Sequence, residues 1–191
     1  RLTKNKGPSF CRNLGIKNSN NNYIAFLDSD DIWKPNKLYD QLIYMIQNKY
    51  NFTYSDYCTF YENEKKNFKK NSTNLKDSFN YDEFILNSSI NSSTMIVKRK
   101  ILKGIKFKSL ALLEDYIFKC QILKKNFTAK KINKVLAYYR VHKDNRSKNK
   151  FNNLLFLWRV NKKYNKLNFL QNLKSLIFIS FNSIKKYHLQ K

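Results

Sequence analysis

A turn crowded with acids follows an apolar segment near the start of the chain, and it limits what this chain can fold into. The apolar run over residues 23–27 ends in Asp28, Asp30 and Asp31, and Pro35 follows at the predicted start of a helix. A continuous apolar run is typical of a buried parallel strand, and open α/β sheets bind ligands beyond the carboxyl ends of their strands. The turn therefore predicts a binding site at the end of a strand in an α/β protein.

The chemistry that fits three neighbouring carboxylates is a divalent cation together with a diphosphate. The acids repel one another unless a cation or a hydrogen-bonding ligand lies between them. Oxygen ligands at this density suit Mg²⁺ or Mn²⁺, and these ions in turn suit a diphosphate. The alternative is a helix cap, in which Asp30 or Asp31 accepts backbone N–H groups ahead of Pro35. Capping explains one or two acids and leaves the third without a role, which favours the metal and diphosphate interpretation.

Composition argues against several other kinds of site. With 191 residues, the chain has room for one domain with a single core and an appendage. Its three glycines argue against a P-loop or a dinucleotide-binding fingerprint. Its cysteines, Cys11, Cys58 and Cys120, are far apart and match neither a disulfide framework nor a zinc site, which predicts a reduced, cytosolic protein.

The net charge of +25 is partly a matter of base composition. Lysine far outnumbers arginine, and asparagine and isoleucine are abundant, which is the bias of an AT-rich genome. The charge is also uneven, because Asp144 is the last acid and eleven Lys or Arg residues follow it. An anionic membrane surface is therefore a candidate partner of the tail. Nucleic acid is not expected, because clustered acids at a strand end do not suit a nucleic-acid binder.

Apolar periodicity predicts alternating helices and strands along the first three quarters of the chain. The expected helices cover residues 8–18, a segment after Pro35, 81–86 and 113–124. The expected strands cover residues 23–27, 52–54, 57–61, 94–97, 128–132 and 135–141, with a polar loop over 62–80.

Two apolar stripes at helical spacing lie beyond Lys148. The first consists of Phe151, Leu154, Leu155 and Trp158, and the second of Leu170, Leu173, Ile177, Phe181 and Ile184. Lysines flank both stripes, as in basic amphipathic helices that lie in a membrane interface. The alternative is that these helices pack on the rest of the chain or on a second subunit. Residues 148–191 are accordingly predicted to form a basic amphipathic helical tail.

Three motifs in order resemble the family 2 glycosyltransferases of the GT-A fold. They are RNLGI at residues 12–16 with YIAFLDSDDIWKP at 23–35, LEDY at 113–116, and YYRVH at 138–142. Lys37, Leu38 and Gln41 extend the first motif. The resemblance covers about residues 5–147. It implies an α/β domain over 1–147, with a mixed sheet flanked by helices. It also implies that the first βαβ portion of the nucleotide-binding half is absent, so an N-terminal truncation is expected.

The resemblance implies an inverting transferase that uses Mn²⁺ or Mg²⁺. A sugar would pass from a nucleotide-sugar donor to a saccharide or lipid-linked acceptor, in bacterial surface polysaccharide synthesis. The expected location is the cytoplasm, peripheral on the inner face of the cell membrane. The alternative function is a catalytically inactive remnant that serves as a membrane or subunit contact.

The resemblance also assigns roles to the residues of the first motif. Asp28 is expected to contact the nucleotide ribose or the outer shell of the metal, and Asp30 to contact the metal directly. Asp31 is expected to hold a metal-bound water or to cap the helix. Arg12 is expected to approach the nucleotide base or the diphosphate, with a solvated helix charge as the alternative.

The other two motifs are expected to supply the remaining groups. Asp115 is the predicted general base, and Glu114 is predicted to orient the acceptor or the neighbours of Asp115. Their alternative role is simply to begin a helix. His142 is predicted to reach the metal or the diphosphate, although an isolated histidine is more often structural. Arg140 is predicted to contact phosphate, unless its side chain faces solvent on the strand.

Overall fold

One mixed sheet with helices packed on it organises the chain. A computed structural model describes residues 4–61, 69–70, 76–141 and 150–188. In chain order the helices and strands are α1 (Gly7–Asn18), β1 (Tyr23–Ala25), β2 (Ile32–Trp33), α2 (Lys37–Gln47), β3 (Phe52–Tyr61), β4 (Lys69–Lys70), β5 (Ser78–Phe79), α3 (Tyr81–Phe84), β6 (Ile96–Lys98), α4 (Glu114–Leu123), β7 (Ala129–Val141), α5 (Lys150–Val160) and α6 (Phe169–His188). Short 3-10 helices cover Ser92–Thr94 and Arg99–Leu102, and a π-helical turn covers Asn161–Asn165.

The sheet has the order β1-β6-β3-β7-β2, with β4 added beside β3 and β5 beside β7. The long central pair β3 and β7 is parallel, whereas the other described pairs are antiparallel. This arrangement confirms the predicted mixed sheet flanked by helices. The parallel pair sits in the middle of the sheet, where parallel strands are normally buried.

Two pairs of predicted strands are in fact single strands. β3 runs without interruption over the expected break after residue 54, and β7 runs over the expected break after residue 132. The register jumps from Ile132 to Val135 opposite Ser55 and Asp56, so the two residues between them form a bulge. The polar residues that predicted a break are accommodated as a local irregularity in the ladder.

Two further expectations about strands are wrong. The strand predicted over 23–27 ends at Ala25 and pairs antiparallel with β6 at one end of the described sheet, so it is not a buried parallel strand. The predicted loop over 62–80 contains β4 and β5, and Phe79 in β5 is fully buried against the core. Within that loop, residues 62–68 and 71–75 lie outside the described residues.

Aromatic packing explains why the apolar run leaves the strand early. The Phe26 ring meets the rings of Phe107 and Phe118 edge-on, with centroids 5.6 Å away in each case. Phe107 and Phe118 stack on each other with centroids 3.9 Å apart. Because Phe118 belongs to α4, this cluster holds the segment before Asp28 against the helix that begins with Glu114. Edge-to-face and stacked rings add to the stability that burial provides.

The tail packs on the same hydrophobic core through one side of its helices. Leu157, Val160 and Leu167 are buried members of that core. A buried polar network adds to this contact, because Tyr116 Oη donates to Asn161 Oδ1 at 2.9 Å and Asn165 Nδ2 donates to the same oxygen at 2.8 Å. These contacts match the packing alternative for the tail. No helix in the described part of the chain is long and apolar enough to cross a bilayer.

Candidate functional site

The acidic turn is held by the last strand of the sheet. Asp31 N donates to Asp28 O at 3.1 Å, which closes the turn between β1 and β2. Arg140 of β7 donates twice, from its backbone N to Asp31 Oδ1 at 3.1 Å and from Nε to the Asp30 carbonyl at 3.0 Å. The capping alternative is wrong, because Asn36 precedes α2 and no side chain caps that helix. Asp31 instead bonds a strand more than 100 residues later in the chain.

Asp31 carries an unsatisfied oxygen. The residue is 8% exposed, and its Oδ2 has no hydrogen-bond partner among the described residues. Burial raises the pKa of Asp31, and the negative charges of Asp30 and Asp28 raise it further. The Ser93 hydroxyl and the Arg140 N–H oppose this rise in part. A buried carboxylate oxygen without a donor is costly unless a cation or a bound water approaches it.

The acidic turn fits a hard divalent cation in its chemistry. Carboxylate oxygens are the ligands that Mg²⁺ and Mn²⁺ prefer, and the unsatisfied Oδ2 of Asp31 is such an oxygen. The described residues contain no group of three or more side chains spaced to hold a metal on their own. His142, the third predicted ligand, lies outside the described residues.

Arg12 joins the two acidic motifs. Its Nη2 lies 2.5 Å from Asp28 Oδ1, and its Nη1 lies 2.9 Å from Glu114 Oε1. Burial alone lowers the pKa of Arg12, but the two carboxylates outweigh that effect and raise it. The residue is therefore not the solvated helix charge that the sequence allowed as an alternative. The guanidinium of Arg12 thus bonds both the turn after β1 and the first residue of α4.

A serine pair connects the same two motifs from the other side. Asp28 N donates to Ser93 Oγ at 3.0 Å, and Ser92 Oγ donates to Asp115 Oδ2 at 3.4 Å. Trp33 Nε1 fixes this segment by donating to the Ser93 carbonyl at 2.7 Å. The two serines are adjacent in a 3-10 helix, so Asp28 and Asp115 both face it. The two acidic motifs thus contact the same short segment.

Asp115 lies at the start of α4 beside a buried lysine. Lys119 Nζ is 2.6 Å from Asp115 Oδ2, and the side chain of Asp115 remains 36% exposed. Burial raises the pKa of Asp115, but the charge and hydrogen bond of Lys119 outweigh it, and the net shift is downward. Leu113, just before the helix, has a φ of 61°, an unfavourable backbone conformation of the kind found at functional sites. Glu114 and Asp115 begin the helix, as the alternative expects, and both also form ion pairs with basic side chains.

Lys37 and Gln41, which extend the first motif, contact Trp33 and the segment that carries the two serines. Lys37 is fully buried, and its Nζ donates to Gln41 Oε1 at 2.8 Å and lies 4.6 Å from the centre of the Trp33 ring. Burial lowers the pKa of Lys37 to about 7. Gln41 Nε2 donates onward to the Thr94 carbonyl at 3.0 Å. This network holds Trp33 and the serine segment in position.

Sequence reasoning placed most acids of this site but missed one basic group. Lys119 was not among the site residues that the sequence predicted. Its position four residues after Asp115 was the available signal, since residues at this spacing share a helix face. Lys119 is 1% exposed, and apolar periodicity in the sequence does not predict a buried lysine, because lysine is rarely buried without a charged partner.

Comparison with known proteins identifies the family of this fold. The family model for glycosyl transferase family 2 matches residues 1–120, which include the acidic turn and the start of α4. The chain belongs to this glycosyltransferase family. The match ends at residue 120, before β7 begins, so Arg140 and His142 lie beyond the matched segment.

Curated relatives and solved structures agree with this family. The chain is 31% identical over 140 residues to the putative teichuronic acid biosynthesis glycosyltransferase TuaG of Bacillus subtilis, covering 73% of this chain and 55% of that protein. It is 36% identical over 137 residues to the Escherichia coli UDP-Glc:alpha-D-GlcNAc-diphosphoundecaprenol beta-1,3-glucosyltransferase WfaP, covering 72% and 53%. It thus spans about half the length of these relatives.

The fold is that of S. aureus TarS. The structure of TarS residues 1–349 in complex with UDP superimposes with a TM-score of 0.63 at 16% identity, covering 93% of this chain and 52% of that one. At this identity the likeness concerns the fold, and it confirms the GT-A prediction. The roles of the individual site residues stay predictions.

Proposed function

We propose that this chain forms the metal-binding and catalytic part of an inverting glycosyltransferase. The donor is a UDP-sugar, and the acceptor is a lipid-linked saccharide of a bacterial surface polysaccharide pathway. The observation that carries this proposal is the pair of ion pairs from Arg12 to Asp28 and Glu114, which connects the two acidic motifs to which we assign donor binding and proton removal. UDP and an undecaprenol-linked acceptor appear in the name of the Escherichia coli relative, which supports this choice of substrates.

Donor binding is assigned to the acidic turn. Asp30 and Asp31 would hold the metal, with His142 as a further ligand, and a bound Mn²⁺ or Mg²⁺ would supply the positive charge that neutralises a leaving diphosphate. Asp28 contacts the ribose or a metal-bound water. Arg140 bonds the turn from β7 and keeps it in shape when the donor arrives.

Proton removal is assigned to Asp115. A single-displacement reaction needs a base within hydrogen-bond reach of the attacking hydroxyl. Asp115 is ionised at neutral pH, because Lys119 lowers its pKa, and its side chain is partly exposed. Glu114 is held by Arg12 and orients the acceptor or Asp115 from the adjacent position.

Transfer to a lipid-linked acceptor tests the proposal directly. The chain is incubated with UDP-glucose, Mn²⁺ and undecaprenyl-diphosphate-GlcNAc, and UDP release and product mass are followed together. We expect UDP release that depends on the acceptor and stops with EDTA. If UDP-glucose fails, a panel of UDP-sugars follows. Failure of the whole panel to bind, measured calorimetrically with Mn²⁺, would overturn the assignment of the donor.

The outer side of α6 supports a second part of the proposal, a peripheral membrane contact. The stripe of Leu170, Leu173, Ile177, Phe181 and Ile184 is between 41% and 73% exposed along the helix. The opposite side is packed, because Ser175 Oγ donates to the Ile85 carbonyl at 2.6 Å and Asn182 Nδ2 donates to the Leu86 carbonyl at 3.2 Å. The helix is thus fixed to the protein while the whole predicted stripe points outward.

The occupant that fits this stripe is an anionic lipid surface. The eleven Lys or Arg residues after Asp144 face no Asp or Glu in the same stretch, and ten of them lie in the tail over residues 148–191. Each basic residue near an anionic membrane contributes about 1 kcal/mol, and each buried Ile or Phe side chain about 1.5–3 kcal/mol. A cytoplasmic membrane face with a lipid-linked acceptor matches this chemistry.

Vesicle sedimentation measures this contact. We expect the protein to bind phosphatidylglycerol vesicles and not phosphatidylcholine vesicles, with binding that weakens as salt rises. Ile177→Ser with Phe181→Ser should lower binding by at least about 10-fold, since the two side chains no longer enter the lipid. Ile43→Ser with Ile46→Ser on α2, which are also exposed, is the matched control and should bind as the unchanged protein does. Equal binding by both double variants would contradict the membrane role of this stripe.

A further inference from the structure

Lys119 is a buried cation whose bonds connect two parts of the site. Its Nζ lies 2.6 Å from Asp115 Oδ2 and 2.6 Å from the Ile90 carbonyl oxygen. A lysine with 1% exposure loses nearly all contact with water, which is costly without a charged partner. The carboxylate and the carbonyl replace that water. The buried position of Lys119 is therefore stable only while its ammonium bonds the Asp115 carboxylate and the Ile90 carbonyl.

The bond to Ile90 extends the influence of Lys119 beyond α4. The segment after Ile90 is short and internally bonded, with Ser93 N donating to Asn91 Oδ1 at 2.7 Å. It carries Ser92, which donates to Asp115, and Ser93, which accepts from Asp28 N. One ammonium group thus holds the base and also the segment that contacts the donor-side turn.

The side-chain donors on Asp115 reach one of its two carboxylate oxygens. Lys119 and Ser92 both donate to Oδ2. No side chain among the described residues donates to Oδ1, and the Asp115 side chain is 36% exposed. A backbone hydrogen bond from Tyr116 also favours the carboxylate. Both side-chain donors hold Asp115 through Oδ2, and its partly exposed side chain can take a proton from a bound hydroxyl.

We propose that Lys119 is a positioning residue for the reaction, which fixes Asp115 through Oδ2 and aligns it with the Ser92–Ser93 segment. This inference rests on the proposed role of Asp115 as the base. Two other charged groups lie near Asp115: Arg12 from α1, which also favours the carboxylate, and Glu114, the preceding residue of α4. Lys119 has the largest effect in lowering the pKa of Asp115. Loss of Lys119 should therefore change the pH at which Asp115 takes up its proton.

A titration of the Asp115 carboxyl tests this in the full chain without any substrate. The chain is labelled with ¹³C-aspartate, and Asp115→Asn assigns the resonance. In Lys119→Met, which keeps the length of the side chain, the midpoint of the titration should move to higher pH, because burial then acts without the ammonium. Lys119→Arg should restore most of the original midpoint. Lys125→Met is the matched control, because Lys125 Nζ bonds only the Lys103 carbonyl among the described residues, and it should leave the midpoint in place.

The pH dependence of the reaction gives the second readout. With the UDP-sugar assay, the acid limb of the kcat profile should move to higher pH in Lys119→Met, and kcat should fall by about 100-fold, as expected for a misplaced base. A purely structural role would lower the rate at every pH without moving the limb. If Lys119→Met does not fold, Lys119→Gln keeps a donor for Ile90 and removes the charge.

The outcomes separate this inference from the proposed function. A folded Lys119→Met or Lys119→Gln whose Asp115 midpoint stays at the original pH overturns the positioning role. Unchanged turnover in Asp115→Asn overturns the assignment of the base, and with it the kinetic part of this inference. The carboxyl titration would still report the coupling in that case, so the two failures are distinguishable.

Discussion

Replacing Asp115 with Asn should reduce turnover by about 10²- to 10⁴-fold while leaving donor affinity unchanged. This loss is the usual contribution of a general base, because the amide cannot accept the proton of the attacking hydroxyl. The amide oxygen can still accept from Lys119 and Ser92, which preserves the contacts at Oδ2. Rates are measured by acceptor-dependent UDP release, and affinity by calorimetry with UDP and Mn²⁺.

A matched substitution isolates the role of this carboxyl. Asp82 is an exposed acid on α3, and Asp82→Asn should leave both rate and affinity as they are. Turnover retained in Asp115→Asn would remove Asp115 from the role of base. A loss of donor binding as large as the loss of rate would do the same, since it would place Asp115 in donor recognition instead.

The second large effect is expected at the acidic turn. Asp30→Ala should weaken Mn²⁺-dependent UDP binding by at least about 100-fold. Removing a residue that only bonds a metal ligand already costs about 10- to 100-fold in metal affinity. Arg140 bonds the main-chain carbonyl of Asp30, so this bond survives the substitution. Asp31 is less suited to the test, because its Oδ1 accepts from Arg140 N and its removal would disturb the contact with β7.

Metal dependence separates a ligand from a structural acid. Without Mn²⁺ the unchanged protein and Asp30→Ala should bind UDP equally weakly, and only the unchanged protein should gain affinity when the metal is added. Asp77→Ala is the control, because the Asp77 side chain is 83% exposed. If Asp30→Ala keeps the full gain in affinity, Asp30 is not a metal ligand and the assignment fails.

The sequence alone determined the main helices and the position of the acids. Helical periodicity placed α1, α2 and α4 to within a few residues, and the stripe on α6 was identified residue by residue. The acidic turn was placed correctly after β1, because an apolar run followed by acids is a local pattern. Local patterns depend on residues a few positions apart, which a sequence displays directly.

Only the tertiary structure decided which of these groups meet. Arg12 and Glu114 are 102 positions apart, and Asp31 and Arg140 are 109 apart, so no spacing in the sequence indicates their bonds. The antiparallel edge position of β1, the burial of Lys119 and the one-sided packing of α6 depend in the same way on neighbours from distant segments. Hydrophobicity decides that a face is buried, whereas the packing of sheet and helices decides what it is buried against.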